Sequence, residues 1–311
     1  MHILVTGGLG FIGSHLTTAL AHAGHTLTII DDLSTGKREH APDGSTVIVD
    51  DISRHGVFDE IIQSVDACYH LAAIASVERA NKELLRTHEI NLGGFVNLLD
   101  AIARHKKTIP VVYASSAAVY GDTPDLPLSE TSTTAPISAY GADKLACELQ
   151  GRAAYAVHKI PTIGLRFFNV YGERQDPSSP YSGVISIFVK RALSGQSLAI
   201  NGDGLQTRDF IYVGDVVHAL TKAMDALVLE AIRYSVYNVC TGNPTTINVL
   251  AETLCKLAHS KSTINHGAER IGDIKHSRGD NTAIKKALGF TAAISLADGL
   301  ARTLNWMKAT Q

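Results

Sequence analysis

Tyr140 and Lys144 stand four residues apart in the run Ala139-Tyr140-Gly141-Ala142-Asp143-Lys144. On a helix that spacing puts a phenol and an ammonium on one face, where they read as an acid/base pair serving a nicotinamide cofactor. Pairs of this kind arise often by chance, so the weight of this one comes from the order of the parts around it. A glycine-rich N-terminus ending in Asp31 precedes it, and Ser115-Ser116 closes an apolar strand at the carboxyl edge where α/β sheets place ligands. Ser116 can then donate to a substrate oxygen or to the tyrosine. A phenol titrates at about 10, so one working as a base at neutral pH needs its anion stabilised by about 4 kcal/mol. A cation about 5 Å away supplies roughly 3 kcal/mol at an effective dielectric of about 20. Lys144 plus a positive nicotinamide ring therefore suffices.

The glycines follow the spacing Gly7-x-x-Gly10-x-x-Gly13, which differs from the usual Gly-x-Gly-x-x-Gly dinucleotide fingerprint. The physical demands are the same: a tight turn after a strand, a backbone bare enough for pyrophosphate, and a helix N-terminus offering N–H groups and a positive dipole end. Asp31 falls at the end of the second strand, where a carboxylate accepts hydrogen bonds from ribose hydroxyls and repels a 2′-phosphate. NAD is thereby favoured over NADP, although Lys37 and Arg38 follow closely and weaken the exclusion. Asp32 reads better as a strand-end turn residue. Asp51-Ile52, after the third strand, is expected to bracket the adenine.

These residues need a scaffold that gathers strand ends at one edge. Apolar runs predict strands over 2–6, 26–30, 46–49, 67–71, 109–114 and 162–167, alternating with helices over 12–23, 57–64, 87–104 and 140–158. That alternation predicts an α/β fold, a doubly wound parallel sheet of the Rossmann type covered on both faces. After Asn169 the pattern changes: an irregular stretch to Gly183, a helix over 184–193, a turn over 201–204, a strand over 208–213, a helix over 215–227, and a strand over 236–240 that returns to the sheet. The expected organisation is a cofactor domain of 1–170 plus about 208–240, interleaved with a smaller substrate domain of about 171–207 plus 241–311.

With 311 residues and a net charge of -2, the chain has room for both lobes and carries no basic field for nucleic acid. Its four cysteines are widely separated, predicting neither a zinc site nor a disulfide framework, and no histidine has metal-ligand spacing. No apolar run is long enough to span a bilayer, and no basic segment precedes an apolar one at Met1. A cytoplasmic protein without a membrane partner is expected.

At this point the motifs form one series: Thr6 to Gly13, Asp31-Asp32-Leu33-Ser34-Thr35-Gly36, His70-Leu71-Ala72-Ala73, Ser115 to Gly121, Tyr140 to Lys144, Arg166-Phe167-Phe168-Asn169-Val170-Tyr171-Gly172, and Gln206-Thr207-Arg208-Asp209-Phe210. The chain resembles, nearly end to end, an extended short-chain dehydrogenase/reductase of the nucleotide-sugar epimerase/dehydratase family, and is most similar to UDP-sugar 4-epimerases. The resemblance implies that Ser116, Tyr140 and Lys144 form a catalytic triad acting on a nucleoside diphosphate sugar. It implies NAD contacts from Gly7, Gly10, Phe11, Ile12, Gly13, Asp31, Asp32, Ser34, Thr35, Gly36, Asp51, Ile52, Leu71, Ala72, Ala73, Asn91, Tyr140, Lys144 and Phe167. In the implied reaction Tyr140 removes the 4-hydroxyl proton as C4 is oxidised, the 4-keto sugar turns over, and reduction from its other face completes the inversion.

By the same resemblance Asn169 reaches the diphosphate, Arg208 and Arg270 bind its charge, and Gly183, Val184 and Asp273 join the substrate site. Arg270-Ile271-Gly272-Asp273 departs from the family's Arg-Pro-Gly-Asp at Ile271. Ser277 falls where epimerases restricted to plain hexoses carry a bulky aromatic, which leaves space for a 2-acetamido group. Arg174 reads either as a clamp for a uronate carboxylate, the mark of a UDP-glucuronate epimerase, or as a structural ion pair. Ala75 replaces a lysine that helps hold the pyrophosphate in some 4-epimerases. Dehydratases of the family carry Asp-Glu just after the serine or threonine and decarboxylases a Glu nearby, whereas Ala117-Ala118-Val119-Tyr120 follows Ser116 here. Epimerisation is therefore expected over dehydration, decarboxylation or reduction, and the intact triad argues against an NAD-sensing regulatory protein. The helices over 87–104 and 140–158 are apolar enough on one side to pair across a two-fold axis, so a homodimer is expected.

Overall fold

The computed structural model describes residues 1–177, 183–269 and 274–310. The elements run β1 (His2–Thr6), α1 (Phe11–His22), β2 (Thr26–Asp31), β3 (Thr46–Val49), β4 (Ala67–His70), α2 (Val77–Lys82), α3 (Leu84–His88), α4 (Gly94–Arg104), β5 (Val111–Ser116), α5 (Ala139–His158), β6 (Thr162–Phe167), β7 (Asn169–Tyr171) and α6 (Val184–Leu193). They continue through β8 (Leu198–Asn201), β9 (Thr207–Tyr212), α7 (Val213–Val228), β10 (Tyr234–Val239), β11 (Pro244–Thr246), α8 (Ile247–Ala258), β12 (Ile264–Gly267), α9 (Thr282–Leu288) and α10 (Leu296–Ala309).

Among the described residues, seven strands form one parallel sheet in the order β10-β6-β5-β4-β1-β2-β3. Both faces are covered, so most strand residues are apolar and successive residues divide between two cores. Ile3 and Val5 pack on one side with α1 and α7, while Leu4 packs on the other with α4 and α5. The chain reverses direction across the sheet between β1 and β4, which opens the crevice a doubly wound sheet uses for its ligand. Parallel register aligns Thr6 with Ile30 and Ser116 with Phe167, so the functional strand ends share one edge.

The smaller lobe has its own core of α6, α8, α10, β8 and β9 residues, including Phe188, Leu198, Leu250 and Leu304. Of the stretch expected to return to the first lobe, α7 covers the large sheet and β10 pairs with β6. β9 instead lies between β7 and β11 in a three-stranded sheet. Two other expectations are corrected. The helix expected over 57–64 is a series of turns ending in a single 3-10 turn, Ile61–Gln63. Val57, Phe58 and Ile62 are buried as an amphipathic pattern requires, but Asp51 bonds the Ser53 N–H locally and Gly56 adopts φ +81, so the backbone turns away from a helix. The helix expected over 87–104 starts at Leu84, contains a π turn at Glu89–Gly93, and follows α2, which the periodicity did not reveal.

α5 is held to the sheet by a buried polar network. Glu148 meets Arg166 of β6 in a two-pronged ion pair at 2.8 and 2.7 Å and accepts the Ser115 hydroxyl. Arg166 also donates to the Tyr120 hydroxyl, which donates to Asn238 of β10. Burial works against the Arg166 cation, but Glu148 outweighs it and holds the guanidinium well above its ordinary value. A Glu148→Leu variant strips that buried charge of its ion-pair partner and is expected to lose about 3–5 kcal/mol of stability. Urea unfolding should show the Glu148→Leu/Arg166→Met double variant recovering part of this loss; a loss equal to or larger than the single variant's would count against the pair as its source.

Candidate active site

A cleft of about 230 Å³ runs along the carboxyl ends of β1, β2, β4 and β5. Its floor is the glycine loop. Gly7 has φ +66 and stands so close to the next strand's loop that a Cβ would lie 2.7 Å from the Ala72 backbone. A Cβ on Gly13 would come within 2.0 Å of the Gly7 carbonyl oxygen. Gly10, by contrast, meets no atom nearer than that same oxygen at 3.5 Å, so its backbone faces open space. It precedes α1, whose first turn has no side-chain cap, and Phe11, Ile12 and Gly13 line the cleft. Uncapped N–H groups beside a bare backbone suit a pyrophosphate.

Asp31, Asp32, Ser34, Thr35, Asp51 and Ile52 line the next stretch, and Leu71, Ala72, Ala73 and Phe167 the remainder. The Asp31 carboxylate accepts the Leu9 and Leu33 N–H groups, both at 2.9 Å, and burial raises its pKa above the ordinary carboxylate range. Gly36 lies outside the cleft wall and packs against this carboxylate; a Cβ there would sit 2.5 Å from Oδ1. Asp32 turns back on Ser34, as a strand-end turn residue does. Burial raises the Asp51 carboxyl, but hydrogen bonds from Arg86 and Ser53 outweigh it and hold the group below its usual range. Asn91 does not line the cleft. Its side-chain amide clamps Ile74 at both N–H and C=O, fixing the 71–75 loop that does.

A second cavity of about 610 Å³, within the range of small-molecule sites, adjoins the first. Ser116, Asn169, Arg208 and Ser277 all line it, and Phe167 belongs to both walls. Asp209, fully buried, accepts the Thr241 N–H and hydroxyl and the Gly242 N–H, which fixes the strand carrying Arg208. Lys144, 2 % exposed, donates to the Ala114 carbonyl at 2.9 Å and lies 5.8 Å from the Tyr140 ring centroid. Neither Tyr140 nor Lys144 lines a wall directly. Lys144 stands behind Ala114 of the cleft, and Tyr140 follows Ser138 of the cavity by two residues.

Three expected substrate residues lie elsewhere. Arg174 donates to the Ser14 carbonyl and the Thr18 hydroxyl, pinning the smaller lobe to α1 instead of presenting its charge to a uronate. Gly183 is the N-cap of α6, and Val184 packs against the smaller lobe's core. Arg270 and Asp273 lie outside the described residues. The cavity also has walls that sequence reasoning missed. Val77, Glu78, Asn81 and Lys82 come from α2, a helix too short to show periodicity. Thr123, Ile137 and Ser138 come from the two ends of a loop whose closure the sequence does not display. His276 lines the cavity beside Ser277.

A doubly wound sheet whose strand-end cleft is floored by a glycine loop, lined by Asp31 and continued at Phe167 into a second cavity is the architecture of a dinucleotide-dependent enzyme. Residues 3–240 match the NAD dependent epimerase/dehydratase family, and the chain belongs to that family. It is 34% identical over 309–317-residue spans to relatives that include the UDP-glucose 4-epimerase of Mycolicibacterium smegmatis, with 99% of each chain covered in that case. It is 32% identical to the UDP-N-acetyl-alpha-D-glucosaminuronate decarboxylase of Bacillus cytotoxicus, covering 98% of this chain and 97% of that one. The solved UDP-N-acetylglucosamine 4-epimerase of Methanobrevibacter ruminantium, in complex with UDP-N-acetylmuramic acid, superposes with a TM-score of 0.94 at 36% identity, over 100% of this chain and 99% of that one. The protein is an NAD-dependent nucleotide-sugar enzyme of the epimerase/dehydratase type.

Beneath the cofactor cleft His70 is fully enclosed. Nδ1 meets the Thr6 hydroxyl at 3.0 Å, and Nε2 has no hydrogen-bond partner among the described residues. Burial, reinforced by the Lys144 charge, pushes the imidazole pKa down to about 3, so it is neutral in the folded protein. The unfolded chain takes up this proton below a pH of about 6.5, so His70's contribution is complete above that pH and is lost as pH falls towards the folded value. Relative to a His70→Asn variant, wild type should lose about 2 kcal/mol between pH 8 and pH 5. Denaturant unfolding of both proteins at the two pH values checks this, and a difference that does not narrow refutes it.

Proposed function

We propose that the protein catalyses 4-epimerisation of a UDP-hexose through a transient 4-keto sugar. The observation that carries this reading is the junction of the two cavities at Phe167, with Ala114 on the cofactor side and Ser116 on the substrate side of the same strand. Two residues apart on β5, they share a face of the sheet. A sugar in the larger cavity is thus brought to the end of the cleft next to the Lys144 tether.

Bound NAD supplies reversible oxidation and reduction at the sugar carbon, with no net consumption over a cycle. Gly7, Gly10 to Gly13, Asp31 and Asp51 are the residues that would hold it. Tyr140 takes the proton of the 4-hydroxyl and later returns one. The Lys144 ammonium stabilises the Tyr140 phenolate that accepts this proton, and the Ser116 hydroxyl orients the sugar oxygen by hydrogen bonding. Asn169 and Arg208 hold the diphosphate while the sugar turns between its two faces. The stretch Ala117 to Tyr120 brings no acid to the site, which disfavours elimination and decarboxylation. Arg174, engaged with α1, does not favour a uronate. Ser277 in the cavity wall leaves room for an acetylated hexosamine, so UDP-glucose and UDP-N-acetylglucosamine are both assigned as substrates.

Proton and carbon NMR on each sugar should show interconversion of the C4 epimers. Tyr140→Phe should lower kcat by about 10²–10⁴ while NAD stays bound. A product that is not isomeric with the substrate removes the epimerase reading, and failure to turn over the acetylated sugar removes the role given to Ser277.

We also assign a homodimer, formed by α4 and α5 across a two-fold axis. Val96, Leu149 and Val157 on these helices are exposed, the last at 71%, and two such helices from each copy would cover them. Sedimentation should find a dimer at micromolar concentration that Leu149→Glu/Val157→Glu converts to monomer. A monomeric wild type rules the assignment out.

A further inference from the structure

We infer that Ser138 and Gly141 are positioning residues that seat Tyr140 against Ser116, through backbone contacts separate from those that anchor Lys144. The inference rests on the reading of Tyr140 as the proton-transfer group. Tyr140 is the second residue of α5, in the first turn, where backbone N–H groups lack helical partners and a helix end opens most easily. Ser138 is the N-cap: its backbone is extended, and its hydroxyl accepts the Gly141 N–H at 3.1 Å. That bond closes the turn around Tyr140.

Gly141 faces the other way. A Cβ at this position would stand 2.6 Å from the Ala118 carbonyl oxygen and 3.1 Å from Cβ of Pro136. The first turn of α5 therefore rests directly on the turn at Ala117–Tyr120, with no side chain between them. That turn is itself capped by Ser116, whose hydroxyl accepts the Ala118 N–H at 3.1 Å. The Ala118 carbonyl also accepts the Gly121 N–H at 3.4 Å. A continuous path of short contacts thus runs from Ser116 through Ala118 and Gly141 to Ser138, and Tyr140 lies inside it. Lys144 is fixed one turn further on by burial and by the Ala114 carbonyl. Loosening the first turn displaces the phenol relative to Ser116 and leaves the ammonium in place. The chemical step slows while the residues that grip the nucleotide are untouched.

Because Ser138 also lines the substrate cavity, the test must separate positioning from direct binding. Ser138→Ala should lower kcat by about fivefold to tenfold with KM unchanged, and amide hydrogen exchange over 139–142 should quicken. Ser138→Asn, which accepts the same N–H through a different side chain, should restore both. Gly141→Ala should lower kcat by about a hundredfold with NAD retained. The inference is overturned if Ser138→Ala raises KM at constant kcat, if exchange quickens while kcat holds, or if kcat falls and Asn does not restore it. The Ser138 series decides the matter even where Gly141→Ala does not fold. Turnover of any nucleotide sugar suffices for these measurements, so a wild-type product that is not a C4 epimer would refute the proposed reaction without affecting this result.

Discussion

α5 carries Asp143, Lys144 and Glu148, all buried, and their partners come from three other elements. Asp143 accepts from His88 of α3, Lys144 donates to Ala114 of β5, and Glu148 binds Ser115 of β5 and Arg166 of β6. A buried charge without a partner costs several kcal/mol, so a shift of this helix along or about its axis would strand several at once. One docking position satisfies all of them. The placing of Tyr140 and Lys144 is therefore a consequence of how the helix is moored, and the four-residue interval between them only matters once that mooring is made.

The cofactor cleft depends on a different kind of constraint, the absence of side chains. The Gly7, Gly13 and Ala72 backbones approach so closely that the loop cannot admit a methyl group, and the Asp31 carboxylate ties that loop to β2 by binding the Leu9 and Leu33 N–H groups. The same helix that begins at this loop also receives the smaller lobe. Arg174 bonds the Ser14 carbonyl, and His15 meets the Glu173 carbonyl at 2.9 Å, with burial lowering the histidine pKa. Through α1, the lobe carrying Arg208 is thus referenced to the element whose first turn lines the cleft. The two cavities share a wall at Phe167, and the lobes that carry them share a scaffold at α1.

The doubly wound sheet was legible because its strands are buried on both faces and read as apolar runs, as in Thr162–Phe167. The cleft was equally legible, since glycine spacing and a strand-end carboxylate are local features that each constrain the chain at one point. Residues whose roles depend on a distant partner were not. Arg174 looks like a candidate anion clamp until Ser14 and Thr18 are seen to occupy it. Asn91 reads as a cofactor contact, yet its amide spends both ends on Ile74. α2 has too few residues for periodicity to report it, although it forms one side of the larger cavity.

The sequence by itself determined the chemistry on offer: a phenol and an ammonium one helical turn apart, a hydroxyl at a strand end, a glycine loop, and a strand-end carboxylate. These are statements about residue type and short spacing, which local backbone geometry converts directly into structure. Only the tertiary structure decided which of those groups meet. The approach of Gly141 to Ala118, the Glu148–Arg166 pair and the Phe167 partition each join segments that lie far apart along the chain or on different elements. Such contacts are selected by burial and hydrogen-bond satisfaction over the whole fold, and no interval in the sequence encodes them.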